Sequence, residues 1–130
     1  MKSIHHIAFN CSNIILMEQF YSRYFGFKRA RVFNPKEKNE FIILRLGNTC
    51  IELFSADEKK INQSRPITGF KHLAFEVADL EDFVKKLNSK GIVTEHIIDY
   101  SHVIPGFRIC FFSDPEGNRI EIMEGYKDQF

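Results

Sequence analysis

At 130 residues the chain has the length of one ordinary globular domain, which argues against a separate cofactor-binding module. Lys plus Arg number 18 and Asp plus Glu 17, so the net charge is +1 and the basic signature of a nucleic-acid or anionic-membrane binder is missing. The expected partner is a small molecule, and a hydrophobic fraction of 44% supplies a core and excludes disorder as the main state.

Phe is in excess, 14 residues with no Trp, which points to a core or cavity walled by rings that need no hydrogen-bond partner. Met1-Lys2-Ser3 leads directly into a patterned segment, and no apolar run reaches the length of about 18 residues that a membrane helix needs. The reading is a cytoplasmic protein without a membrane partner. Cys11, Cys50 and Cys110 are odd in number and lie in apolar runs without CxxC spacing, so they read as buried thiols of a reducing compartment.

In chain order, Ile4 to Ile14 opens with the alternation of a strand, Ile7 and Phe9 on one side and His6 and Ala8 on the other. A helix follows, with Ile14, Met17, Phe20 and Tyr24 as its stripe, Ser12 or Asn13 as cap and Gly26 as its end. Extended runs at 28–33, 41–46 and 49–54 complete the first half, and 55–69 reads as a connector. Phe70 to Leu80 then repeats Ile4 to Ile14 at an offset of 66, with His, Ala and Phe identical. Leu80, Phe83, Val84 and Leu87 form a second helix capped by Asp79 and stopped by Gly91, and runs at 93–98, 107–112 and 119–124 follow. A second internal match sets Gly47-Asn48 and Ile51-Glu52-Leu53 against Gly117-Asn118 and Ile120-Glu121-Ile122 at an offset of 69. The expected fold is α+β: two tandem βαβββ modules, about 3–54 and about 70–125, in one domain spanning 1–130. They would form a half-open mixed sheet around a shared cavity. The turns at Gly47-Asn48 and Asp114-Pro115-Glu116-Gly117 need no function.

Alternation puts His6 and His72 on the inner face of their strands beside a small residue, and sets Glu52 and Glu121 opposite the aliphatics that flank them. Pseudosymmetry then predicts that His6, Glu52, His72 and Glu121 converge. Neutral imidazole and carboxylate suit a divalent transition metal, Zn or Ni first and Co, Mn or Fe besides, with positions left open for water or substrate. Phe54 shares the face of Glu52 and is expected to wall the cavity, with Cys50 the thiol nearest the site. His5 points away from His6 by the same alternation and reads as a packing or surface residue; His96 is unassigned.

The repeated module, with His in its first strand and Glu in its last, resembles the vicinal oxygen chelate superfamily of glyoxalase I, methylmalonyl-CoA epimerase, extradiol dioxygenases, fosfomycin-resistance transferases and bleomycin-binding proteins. The likeness spans nearly the whole chain, and Phe111-Phe112-Ser113-Asp114-Pro115-Glu116-Gly117-Asn118-Arg119-Ile120-Glu121-Ile122 looks like its closing signature. The order His6, Glu52, His72, Glu121 is similar to the metal ligands of small bacterial glyoxalase I, whereas epimerases typically place Gln where this chain has Glu52. The resemblance implies a glyoxalase I-like lyase, a homodimer with a small-molecule substrate. It would convert a 2-oxoaldehyde–thiol hemithioacetal into a 2-hydroxyacyl thioester by metal-assisted proton transfer. It favours Glu121 as the base and leaves Glu52 as the other choice. An epimerase acting on a 2-acyl thioester and a non-catalytic binding protein stay open. Asn34 to Asn39 is a short loop, and none of Arg23, Lys28, Arg45, Lys71 and Arg108 matches a glutathione-carboxylate site; they read as surface charges. Residues 99–107 border the expected cavity mouth or form an ordinary loop.

Overall fold

In the computed structural model, residues 4–57 and 68–129 are described. Met1-Lys2-Ser3 and the larger part of the expected connector, 58–67, lie outside them. Contacts divide the chain into two compact units, Met1–Arg65 and Pro66–Phe130.

The first unit runs β1 (His6–Cys11), α1 (Ile14–Phe25), β2 (Lys28–Phe33), β3 (Phe41–Leu46) and β4 (Thr49–Ser55), with the strands ordered β1-β4-β3-β2. Only β1 and β4 are parallel, because the helix carries the chain back across the sheet between β1 and the later strands, whereas short turns join β2, β3 and β4. Asn13, rather than Ser12, caps α1 by accepting the Leu16 N–H at 2.9 Å. Gly26 ends the helix at φ 76°, a left-handed turn that costs glycine little, and the Phe27 N–H closes the last turn on the Tyr21 carbonyl. Met17, Phe20 and Tyr21 bury against β3 and β4, where Ile42, Leu44, Ile51 and Leu53 are also buried. Tyr21 is a core residue outside the expected stripe: its ring meets Phe9, Phe25 and Phe27.

The second unit repeats the plan with β5 (Leu73–Glu76), α2 (Leu80–Ser89), β6 (Ile98–Asp99), β7 (Arg108–Ser113) and β8 (Arg119–Glu124), ordered β5-β8-β7-β6, with β5 and β8 parallel. Each sheet is mixed and open, with one helix on one face. Asp79 caps α2 through the Asp82 N–H, and Glu124 at the end of β8 accepts the Leu80 N–H at 2.7 Å. Gly91, at φ 81°, follows the helix end as expected, and the Ile92 N–H donates to the Leu87 carbonyl. In the closing turn, the buried Asp114 carboxylate accepts the N–H groups of Glu116 and Asn118 and the Asn118 side-chain amide. That turn is built by its own hydrogen bonds.

The run expected as a strand over 93–98 is strand only at Ile98–Asp99. The Glu95 N–H does donate to the Phe111 carbonyl at 2.8 Å, but the ladder resumes with Ile98 opposite Ile109, so the edge takes three steps where β7 takes two. One extra residue breaks the pairing in the manner of a bulge. Val93 is 87% exposed, and no core contact favours a straighter strand there. Among the described residues no helix is long and apolar enough to cross a membrane.

Candidate metal centre

The parallel register of each module brings a histidine and a glutamate together. Ala8 lies opposite Glu52 and Ala74 opposite Glu121, with His6 and His72 two residues before each alanine on the same face. A methyl opposite the carboxylate leaves room for it to lean along the sheet toward the ring. His6 Nε2 stands 3.5 Å from Glu52 Oε2, and His72 Nε2 stands 2.9 Å from Glu121 Oε2. The same ring nitrogen, Nε2, faces the carboxylate in both units. The carboxylates are the deeper partners, 14% and 13% exposed, and the rings are more open, 44% for His6 and 25% for His72.

These spacings suit two ligands of one ion. Bonds of about 2.0–2.2 Å from Zn to nitrogen and oxygen put adjacent donors about 3 Å apart at a right angle and about 3.4 Å apart at the tetrahedral angle. Among the described residues no group of three or more His, Cys, Asp or Glu side chains gathers to hold a metal; each unit carries one His–Glu pair. The four sequence-selected residues are brought together as two pairs.

The surroundings of the two rings differ. His72 packs edge-on against Phe111, which lies across from Glu121 in β7, and its Nδ1 is buried without a hydrogen-bond partner among the described residues. The Arg119 guanidinium lies over the outer part of that cluster, 4.1 Å from the Phe111 centroid, and pairs with Glu95. His6 instead has a neighbour: its Nδ1 is 3.0 Å from the Nδ1 of His5, and the two rings meet edge to face. His5 is exposed, as its reading as a surface residue requires, but its ring turns toward His6 and not away from it. His5 precedes β1, where strict alternation does not apply, although its carbonyl already accepts the Cys50 N–H at 2.9 Å.

Beyond Glu52, Phe54 stacks on Phe41 at 4.4 Å and Phe41 on Phe33 at 4.5 Å, a row of rings across the open face of the first sheet. Phe41 and Phe54, with Asn34, Lys38 and Ser55, line a cavity of about 610 Å³. Cys50 is fully buried, so it offers no thiol at the surface of the site. Arg108, read from sequence as a surface charge, is a structural link: it pairs with Glu81 in α2 and with Glu124 in β8, which hold its guanidinium above its ordinary pKa through hydrogen bonds, the Glu81 bond first. In the 99–107 loop Tyr100 stacks on Phe107 and meets His102 at a tilt, and Phe107 meets Tyr126.

Two open mixed sheets, each carrying one helix and one His–Glu pair in the same register, define a duplicated βαβββ protein. The family model of the Glyoxalase/Bleomycin resistance protein/Dioxygenase superfamily matches residues 3–122, and the chain belongs to that superfamily. It is 38% identical over 127 residues, 95% of this chain and 98% of the other, to the uncharacterized protein YwkD of Bacillus subtilis. Among solved structures, the glyoxalase family protein from Enterococcus faecalis is 34% identical with a TM-score of 0.80 over 95% of this chain and 98% of that one. Lactoylglutathione lyase from Agrobacterium tumefaciens shares the fold at 21% identity, with a TM-score of 0.69 over 96% of this chain and 95% of that one.

Proposed function

We propose that the two units act as one domain in which His6, Glu52, His72 and Glu121 hold a single divalent metal ion. The reaction is a glyoxalase I-like isomerisation of a 2-oxoaldehyde–thiol hemithioacetal to a 2-hydroxyacyl thioester. The observation that carries this reading is the repeated His–Glu pair, with Nε2–Oε2 separations of 3.5 and 2.9 Å at equivalent register positions. Membership of the superfamily supports it, and so does the shared fold of the lactoylglutathione lyase from Agrobacterium tumefaciens. Two imidazoles and two carboxylates neutralise a divalent ion and leave positions for two adjacent substrate oxygens.

A metal held by these residues would supply Lewis acidity toward a substrate carbonyl, which would acidify the neighbouring C–H. The chain's own part is to move one proton. Glu121, mostly withdrawn from water, takes the proton from the sulfur-bearing carbon and returns it to the adjacent carbon, while the hydroxyl proton passes from the oxygen of the first carbon to that of the second, so no atom is gained or lost. The Phe54–Phe41–Phe33 row beside Glu52 offers an apolar surface to the rest of the substrate. The test is an assay of thioester formation from methylglyoxal with several thiols, in protein freed of metal and then reloaded with Ni, Zn, Co or Mn. Metal-dependent turnover is expected, and Glu121→Gln, which removes a metal ligand together with the base, should lower kcat by at least about 10²–10⁴-fold. Full activity in Glu121→Gln sinks the base assignment, and failure to bind any divalent metal sinks the metal reading.

A further inference from the structure

We propose that His5 is a positioning residue for His6: by accepting a hydrogen bond from His6 Nδ1–H, it fixes the tautomer in which His6 Nε2 is free to bind metal. This rests on the reading of His6 as a ligand. An imidazole that binds metal through Nε2 carries its proton on Nδ1, and that N–H requires an acceptor outside the coordination shell. Among the described residues the side-chain partner of His6 Nδ1 is the Nδ1 of His5 at 3.0 Å, a distance that needs one nitrogen to donate and the other to accept. The other ring atom is committed to the site, since His6 Nε2 faces Glu52 Oε2.

The pairing is anchored. The His5 carbonyl accepts the Cys50 N–H at 2.9 Å, and Cys50 lies two residues before Glu52 in β4, so the backbone that carries His5 is tied to the strand that carries the carboxylate. The edge-to-face contact of the two rings, with centroids 5.3 Å apart, restricts the orientation of His6, the more open of the two histidine ligands. Histidine suits this position because a neutral ring can accept at Nδ1 when metal is bound and donate from Nδ1 when it is not. In the free protein His6 can then give its own proton to Glu52. Lys71, which takes the place of His5 in the repeat, can only donate. The second unit uses other means: His72 is held between Phe111 and Glu121, and its buried Nδ1 has no partner among the described residues. The two halves therefore hold equivalent rings differently, one by a hydrogen bond and one by packing.

The experiment compares wild type, His5→Gln and His5→Leu as full chains, first checked for equal folding by circular dichroism. Zn and Co affinities are measured by competition with a chelator, and the histidine ring nitrogens of the Zn form are read by ¹⁵N NMR. Gln keeps an acceptor and Leu has none. His5→Leu should weaken binding about 10–100-fold, the range for loss of a partner behind a ligand histidine, while His5→Gln stays within about threefold of wild type by the same principle. In wild type the His6 resonances should show Nδ1 protonated and Nε2 bound. If wild type binds Zn and His5→Leu binds it equally tightly, or if His6 binds through Nδ1, the role of His5 is overturned while the metal reading stands. If wild type binds no metal, the metal reading itself fails.

Discussion

His6 and His72 begin equivalent segments of one repeated sequence, yet only their Nε2 environments are alike. His72 Nδ1 is buried with no hydrogen-bond partner among the described residues, a state that costs about 1–3 kcal/mol. The proposed role of Nε2 beside Glu121 gives a reason for an imidazole there, where an apolar ring would pack against Phe111 without that cost. At this scale the sequence was legible where the strand period applied: Glu52 and Glu121 face as alternation requires. It was misleading at His5, one residue ahead of β1. The cysteines also follow the sequence reading in being buried, all three of them. Cys110 is held above the ordinary thiol pKa, by burial first, so the fold favours the protonated form. Its contribution to stability is intact below the unfolded thiol value of about 8.5 and is lost as pH rises through the folded value. Ellman's reagent at pH 8 should therefore label none of the three in the native protein within minutes and all three in guanidinium. Fast native labelling of any one would contradict the burial.

The helices and the central strands were readable because their signals are local. Glycine φ values above zero, cap residues and apolar spacing are each fixed within a few residues, and Gly26, Asp79 and Gly91 fall where those rules place them. The edge of the second sheet was not readable, since the slip between Glu95 and Ile98 depends on β7. Nor was the long-range tie at the start of α2, where Glu124 lies 44 residues from the Leu80 N–H it accepts. That tie is worth more than the exposed half of the same network. Glu124→Ala removes a partly buried acceptor from both the helix terminus and Arg108, and should cost about 1–3 kcal/mol. Glu81→Ala removes one exposed pair with Arg108 and should cost less than about 1 kcal/mol. Urea midpoints that rank the two in reverse would refute this account.

The next residue sets a steric limit on the same strand end. Gly125 has φ 71°, and a Cβ there would lie 2.2 Å from the carbonyl oxygen of Gly106, which is backbone and cannot swing aside. Gly125→Ala should destabilise by more than about 1 kcal/mol, the cost of a strained left-handed residue, because the 99–107 loop must also shift. Gly117→Ala, with nothing within 4 Å of its Cβ, carries the backbone cost alone and should be the milder change in the same urea titration.

For the whole molecule, duplication poses a question of counting. Each unit offers two donors, and two donors alone make a weak site for a metal that prefers four or more ligands. If the half-sites serve one ion, the chain binds one metal per 130 residues, and every single ligand replacement removes the same binding event. Free metal at a hundred times its Kd should then add about 2.7 kcal/mol of stability to the wild type. Substituting His6 in the first unit should abolish that gain as fully as substituting Glu121 in the second. Independent half-sites would bind two ions per chain, with each substitution losing only its own share. Calorimetric stoichiometry and metal-dependent Tm measured on His6→Ala, Glu52→Gln, His72→Ala and Glu121→Gln separate the two cases. A value of two, or partial losses that sum to the whole, would show that the repeat duplicated a fold without assembling one centre.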